Sequence, residues 1–152
     1  MERLILCGGG HVSLQVAQIA QRLDFALAVI DDRPEFANPD RFPMARVLCM
    51  PFLEALDQLG GGAQDYYVIL TRGHVFDRTC LEWVLRHERA YVGMIGSRTK
   101  VAHTAQRLRQ DGVVGVGDGV GDDIPRLVPG IALPVQQNAH QLGDDQGGMG
   151  VV

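Results

Sequence analysis

A doubly wound α/β fold, built on a mainly parallel sheet with strand order 3-2-1-4-5, is what this 152-residue sequence predicts. Three observations predict it. A short apolar run, Leu4-Ile5-Leu6-Cys7, stops at Gly8-Gly9-Gly10, and a helical pattern begins at once after it. Further apolar runs alternate with helical patterns as far as Gly112. Polar residues and glycines gather just after the runs that become strands 1, 2, 4 and 5, the ends that border one crevice in this topology.

Arg3–Cys7 is the first strand. Val12, Val16, Ile19, Ala20 and Leu23 follow at helical spacing, with Gln15, Gln18, Gln21 and Arg22 on the other face. Ala26–Ile30 is the second apolar run, and it ends in Asp31-Asp32-Arg33-Pro34, where proline cannot continue a central strand. Strand, glycine turn, helix and strand thus fit within about 30 residues, the size of a βαβ unit. After a loop with Pro34, Pro39 and Pro43, Ala45–Cys49 reads as a third strand. Phe52, Leu56 and Leu59 mark a short helix closed by Gly60-Gly61-Gly62. Tyr66–Leu70 is a fourth strand, followed by Thr71-Arg72-Gly73-His74 and a helix that Asp77 caps, with Cys80, Leu81, Val84 and Leu85 inward. Ala90–Ile95 is the fifth strand, turning at Gly96-Ser97-Arg98 into a helix with Val101, Ala105 and Leu108 inward. Right-handed crossovers then give a Rossmann-like sheet over residues 1–112. Residues 113–152 form an acidic, glycine-rich tail in which Val113–Val116 and Ile131–Val135 are the candidate short strands; no structure is expected of Leu142–Val152.

Composition bounds the function. The chain is 46% apolar and 21% charged, as in a globular domain with a real core. No apolar run nears the roughly 20 residues of a membrane span. The N-terminus is already strand and shows no signal peptide, so a cytoplasmic location is expected. The net charge of −4 sits in the tail, where Arg126 faces Asp118, Asp122, Asp123, Asp144 and Asp145; nothing forms the basic face that nucleic acid needs. Cys7, Cys49 and Cys80 lack CxxC spacing and read as small buried residues.

The chemistry lies in the glycine turn. Glycine permits positive φ and close approach of a ligand to the backbone. The free N–H groups of a helix N-terminus and its dipole favour a phosphate there. Gly8-x-Gly10-x-x-Ser13 is an imperfect dinucleotide fingerprint, with serine at the third glycine position. Asp31 follows Gly8 by 23 positions, close to the roughly 20-residue offset of a ribose-binding acid. This points to NAD, or to NADP if Arg33 holds a 2′-phosphate; Asp31 favours NAD. An S-adenosylmethionine-binding methyltransferase uses similar features and is the main competitor, with a small NAD(P)-dependent oxidoreductase beside it. The cofactor-binding candidates are Gly8, Gly9, Gly10, His11, Val12, Asp31, Asp32, Arg33, Thr71, Arg72, Gly73, His74, Gly96, Ser97 and Arg98. His74 as acid or base, oriented by Asp77, is a weak catalytic pair, since a surface histidine and a helix cap account for both. His11, His74 and one carboxylate come from separate loops without ligand spacing, so no metal is expected.

Four stretches, in order, resemble the C-terminal domain of the xanthine dehydrogenase accessory factor family. They are Cys7-Gly8-Gly9-Gly10-His11-Val12, Val29-Ile30-Asp31-Asp32-Arg33-Pro34-Glu35-Phe36-Ala37, Thr71-Arg72-Gly73-His74-x-x-Asp77, and Tyr91-Val92-Gly93-Met94-Ile95-Gly96-Ser97-Arg98-x-Lys100. The resemblance covers roughly residues 3–112 and leaves out the family's other domain, whose cysteine motif is implicated in holding molybdenum cofactor. It implies an accessory or chaperone-type role: maturation of a molybdenum hydroxylase apoprotein through sulfuration or insertion of molybdenum cofactor. A chain spent almost wholly on the nucleotide fold leaves little room for a substrate domain or a placed acid or base, so no turnover of its own is expected. A nicotinamide nucleotide on the Rossmann domain, a homodimer and a cysteine desulfurase as a second partner are further implications.

Overall fold

The structure is a computed structural model that describes residues 1–112 and 149–151. Among the described residues, six strands form one sheet in the order β3-β2-β1-β4-β5-β6. They are β1 (Arg3–Cys7), β2 (Ala26–Asp31), β3 (Arg46–Cys49), β4 (Asp65–Ile69), β5 (Tyr91–Ser97) and β6 (Met149–Val151). The first five are parallel, in the expected order, and only β6 runs antiparallel, against β5. β6 falls in Leu142–Val152, to which the sequence assigns no element; Val113–Val116 and Ile131–Val135 lie outside the described residues.

The helices are α1 (His11–Ala20), α2 (Phe52–Leu59), α3 (His74–Leu85) and α4 (Arg98–Gln110). Alternation along the strands divides the core between the two faces. Ile5, Cys7, Ala28, Ile30, Tyr67, Ile69, Val92 and Met94 point to the face covered by α2, α3 and α4. Leu4, Leu6, Leu27 and Val29 point to the other, under Ala17 and Ala20 of α1 and Phe42 of the β2–β3 loop. Trp83 lies in the larger cluster, and its Nε1 donates to Asp57 at 2.7 Å, tying α3 to α2.

The inward residues of α2, α3 and α4 include those the periodicity assigns, but α1 is turned. Ser13, Ala17 and Ala20 face the sheet, while Val12, Ile19 and Leu23 stay exposed. The helix starts directly off a strand that runs under it, so small side chains fill the centre of the contact, and Leu14 and Val16 pack partly buried beside them. Leu23 falls in a 3₁₀ turn, Gln21–Leu23, that ends at Asp24 with φ 62°. Cys7 and Cys80 are buried as expected, but Cys49 is exposed, because β3 is an edge strand.

The end of the sheet remote from the glycine turn is fastened by one side chain. Arg3 donates through Nε and Nη2 to Asp65, at 2.9 and 2.7 Å, and through Nη2 to the carbonyls of Leu59 and Gly60 that close α2. Arg3→Ala should therefore cost about 2 kcal/mol, as lost charged hydrogen bonds to a buried carboxylate. A urea unfolding midpoint checks this; an unchanged midpoint would mean that the four contacts are made equally well with water.

Candidate functional site

The parallel register brings three strand ends level. Cys7, the last residue of β1, pairs with Ile30 of β2 on one side and Ile69 of β4 on the other. The glycine turn therefore lies between Asp31–Arg33 and Thr71–Gly73.

The three glycines do different work. Gly8 has φ +122°, and a Cβ there would strike the Leu70 carbonyl oxygen. A Cβ on Gly9 would lie 2.6 Å from the Phe36 carbonyl oxygen. Gly8 and Gly9 thus let neighbouring main chain close in. Gly10 differs: a Cβ there would meet nothing within 4 Å. Gly10 is the N-cap of α1, which has no side-chain cap and no acidic residue in its first turn. His11 and Val12 are exposed at that helix start. The N-terminal N–H groups of α1 thus meet neither a capping side chain nor a competing carboxylate.

On the β2 side, Asp31 is 1% exposed. Its Oδ2 accepts from the Gly9 N–H at 2.9 Å and Arg33 Nη2 at 3.0 Å; its Oδ1 accepts from the Arg33 N–H at 3.1 Å and Nε at 2.9 Å. Burial pushes this carboxyl up, but the bonds from Arg33 and Gly9 outweigh it and hold the group below the usual carboxylate range. The residue expected to receive a ribose thus ties the glycine turn to the end of β2. Asp32, beside it, is half-buried and bonds both arms of Arg72, at 2.6 and 3.1 Å, and that guanidinium holds its carboxyl below the usual range. Arg72 also approaches Asp31 at 3.8 Å.

On the β4 side, Asp77 is not the cap that its position suggests. Gly73 is the N-cap of α3, and Asp77 lies in the first turn, fully buried. Its Oδ1 accepts from the Thr71 N–H at 3.1 Å and from the Thr71 hydroxyl, which fixes the β4–α3 turn. His74 opens α3. Gly96 and Ser97 belong to β5 rather than to a loop: Gly96 is buried and pairs with Gly150, and Ser97 pairs with Met149. Arg98 opens α4.

Three contributors had no role assigned from sequence. Arg41, from the proline-containing loop, donates through Nε to the Gly9 carbonyl at 2.9 Å. Phe36 presses its carbonyl on Gly9 and lies under the Arg33 guanidinium, 3.9 Å from its ring centre. Phe76 serves Arg72 in the same way, at 4.4 Å. Among the described residues no three His, Cys, Asp or Glu side chains gather as a metal site, and no helix is long and apolar enough to cross a membrane.

Known proteins are similar to this chain. Protein YqeB of Escherichia coli (strain K12) is 32% identical over 137 residues, 83% of this chain and 25% of that protein. A probable xanthine dehydrogenase subunit of Bacillus subtilis (strain 168) is 32% identical over 101 residues, 64% of this chain and 31% of that one. The crystal structure of a xanthine dehydrogenase from Bacillus halodurans superposes with a TM-score of 0.65 at 26% identity, over 69% of this chain and 32% of that one. The chain thus spans a quarter to a third of the length of these relatives. The family model described as the XdhC Rossmann domain matches residues 4–122, which include the glycine turn, both flanking loops and the five parallel strands from Leu4 onward. The chain belongs to the XdhC Rossmann domain family.

Proposed function

We propose that this chain is the nucleotide-binding module of an accessory protein that matures a xanthine dehydrogenase-type molybdenum hydroxylase. A dinucleotide such as NAD lies across the Gly8–Gly10 turn, with its phosphates at the N-terminus of α1. One observation carries this reading: Gly8 and Gly9 admit main chain, but Gly10 faces open space at a helix start without a capping side chain. The module serves as a binding and positioning unit rather than as an enzyme. The hydroxylase apoprotein is its partner and molybdenum cofactor the cargo, sulfurated or inserted with the help of the nucleotide-bound state; the similarity to a probable xanthine dehydrogenase component supports that assignment. A homodimer in the cytoplasm, working beside a cysteine desulfurase, is consistent with this role.

Calorimetric titration with NAD, NADP and S-adenosylmethionine tests the nucleotide, and Gly10→Asp tests the place. Aspartate is a good N-cap and sits well with the helix dipole, so thermal unfolding should be unchanged or slightly later. Its carboxylate occupies the phosphate position, so nucleotide affinity should fall by about 100-fold. Unchanged affinity would remove the ligand from this turn, and binding of S-adenosylmethionine alone would replace the dinucleotide.

A further inference from the structure

Two adjacent acidic residues stand at the C-terminal end of β2, Asp31 as its last residue and Asp32 just after it, and they are bonded differently. A carboxylate offers about four acceptor positions. Asp31 uses four, on the Gly9 N–H and on the main-chain N–H, Nε and Nη2 of Arg33, and it is buried. It has no capacity left for a ribose hydroxyl. The same bonds occupy the Nε–Nη2 edge of Arg33, one of its two two-point edges, and match its charge with that of Asp31.

Asp32 is the available acid, with its side chain 30% exposed and its partner Arg72 35% exposed. Arg72 follows β4 and Asp32 follows β2, with β1 between them. Two strand spacings amount to about 10 Å, so this pair bridges the crevice at the end of β1, beside the glycine turn. Exposed ion pairs contribute little and exchange partners readily. A dinucleotide supplies both replacements: ribose hydroxyls donate to Asp32, and the pyrophosphate accepts from Arg72.

Resting on the nucleotide reading above, we infer that Asp32, not Asp31, reads the ribose and makes the site select an unphosphorylated adenosine ribose. Asp32 repels a 2′-phosphate directly, and the charge of Arg33 is already matched by Asp31. The ligand class is therefore an NAD-type dinucleotide or another adenosine diphosphate with free 2′- and 3′-hydroxyls.

The test is calorimetric titration of NAD and NADP into the wild type, Asp32→Asn and Asp32→Glu. The wild type should bind NAD about tenfold or more tightly than NADP, the scale of one charged hydrogen bond kept or lost. Asp32→Asn should weaken NAD by about tenfold and strengthen NADP, closing or reversing the preference. Asp32→Glu, which keeps the charge, should retain the preference for NAD. A wild type that prefers NADP, or a preference that Asp32→Asn leaves in place, overturns the inference while the nucleotide reading stands. A wild type that binds neither dinucleotide overturns both.

Discussion

Replacing Gly8 by alanine should destabilise the protein by about 3 kcal/mol or more, combining a disfavoured dihedral with a steric collision. The φ of +122° is a conformation that L-residues rarely adopt. The added Cβ would also lie on the Leu70 carbonyl oxygen, 2.9 Å from its carbon and 3.3 Å from the Thr71 Cα. All three atoms are main chain, so no rotamer change relieves the contact. Moving them would pull on the Leu70 N–H bond to the Cys7 carbonyl, 3.0 Å, which holds β4 against β1. Gly10→Ala is the matched control: φ is −71° and the Cβ enters open space. Its cost should stay within about 0.5 kcal/mol, the loss of a weakly preferred N-cap. Urea denaturation of the two variants compares them directly, and equal losses would mean that the two glycines are not doing different work.

The sheet was legible because a parallel strand is buried on both faces. Leu4–Cys7, Ala26–Ile30 and Tyr66–Ile69 are nearly unbroken apolar runs, and turn residues bound each of them. The glycine turn was legible for the same reason: it falls where a strand must become a helix. The face of α1 was not. Val12, Ile19 and Leu23 make the stronger apolar stripe, yet Ser13, Ala17 and Ala20 are buried, because close helix–strand approach selects for size over hydrophobicity. Arg41 was invisible for another reason. It lies 32 residues from Gly9 in sequence, and only the path of the β2–β3 loop brings it there. Asp77 carried a misleading local signal: its place beside a helix start reads as a cap, but its carboxylate turns back to Thr71. The division of labour between Asp31 and Asp32 depends on which side chain points inward at the end of β2, and adjacent residues of one type do not reveal that.

Asp31→Asn should show that division thermodynamically. At neutral pH it should cost about 2–3 kcal/mol, because a neutral amide loses the charge-assisted bonds from Arg33 and must point its own N–H groups at existing donors. The pH dependence carries a definite sign. The folded-state carboxyl of Asp31 lies below its ordinary value, since hydrogen bonds to the charged form outweigh burial. Over the interval between the lowered value and the unfolded value of about 3.9, the unfolded chain binds more protons, so stability rises with pH. The contribution is complete above that interval and is lost as pH falls through the folded-state value. The gap in stability between the wild type and Asp31→Asn should therefore be constant from pH 5 to 7 and shrink as pH drops below about 4. Asp32→Asn should alter stability by less than about 1 kcal/mol across the same range, because its ion pair with Arg72 is exposed. Chemical denaturation at a series of pH values measures both gaps. A constant Asp31 gap down to pH 2 would mean that the carboxylate's charge contributes nothing to holding the glycine turn, and that its shape alone does.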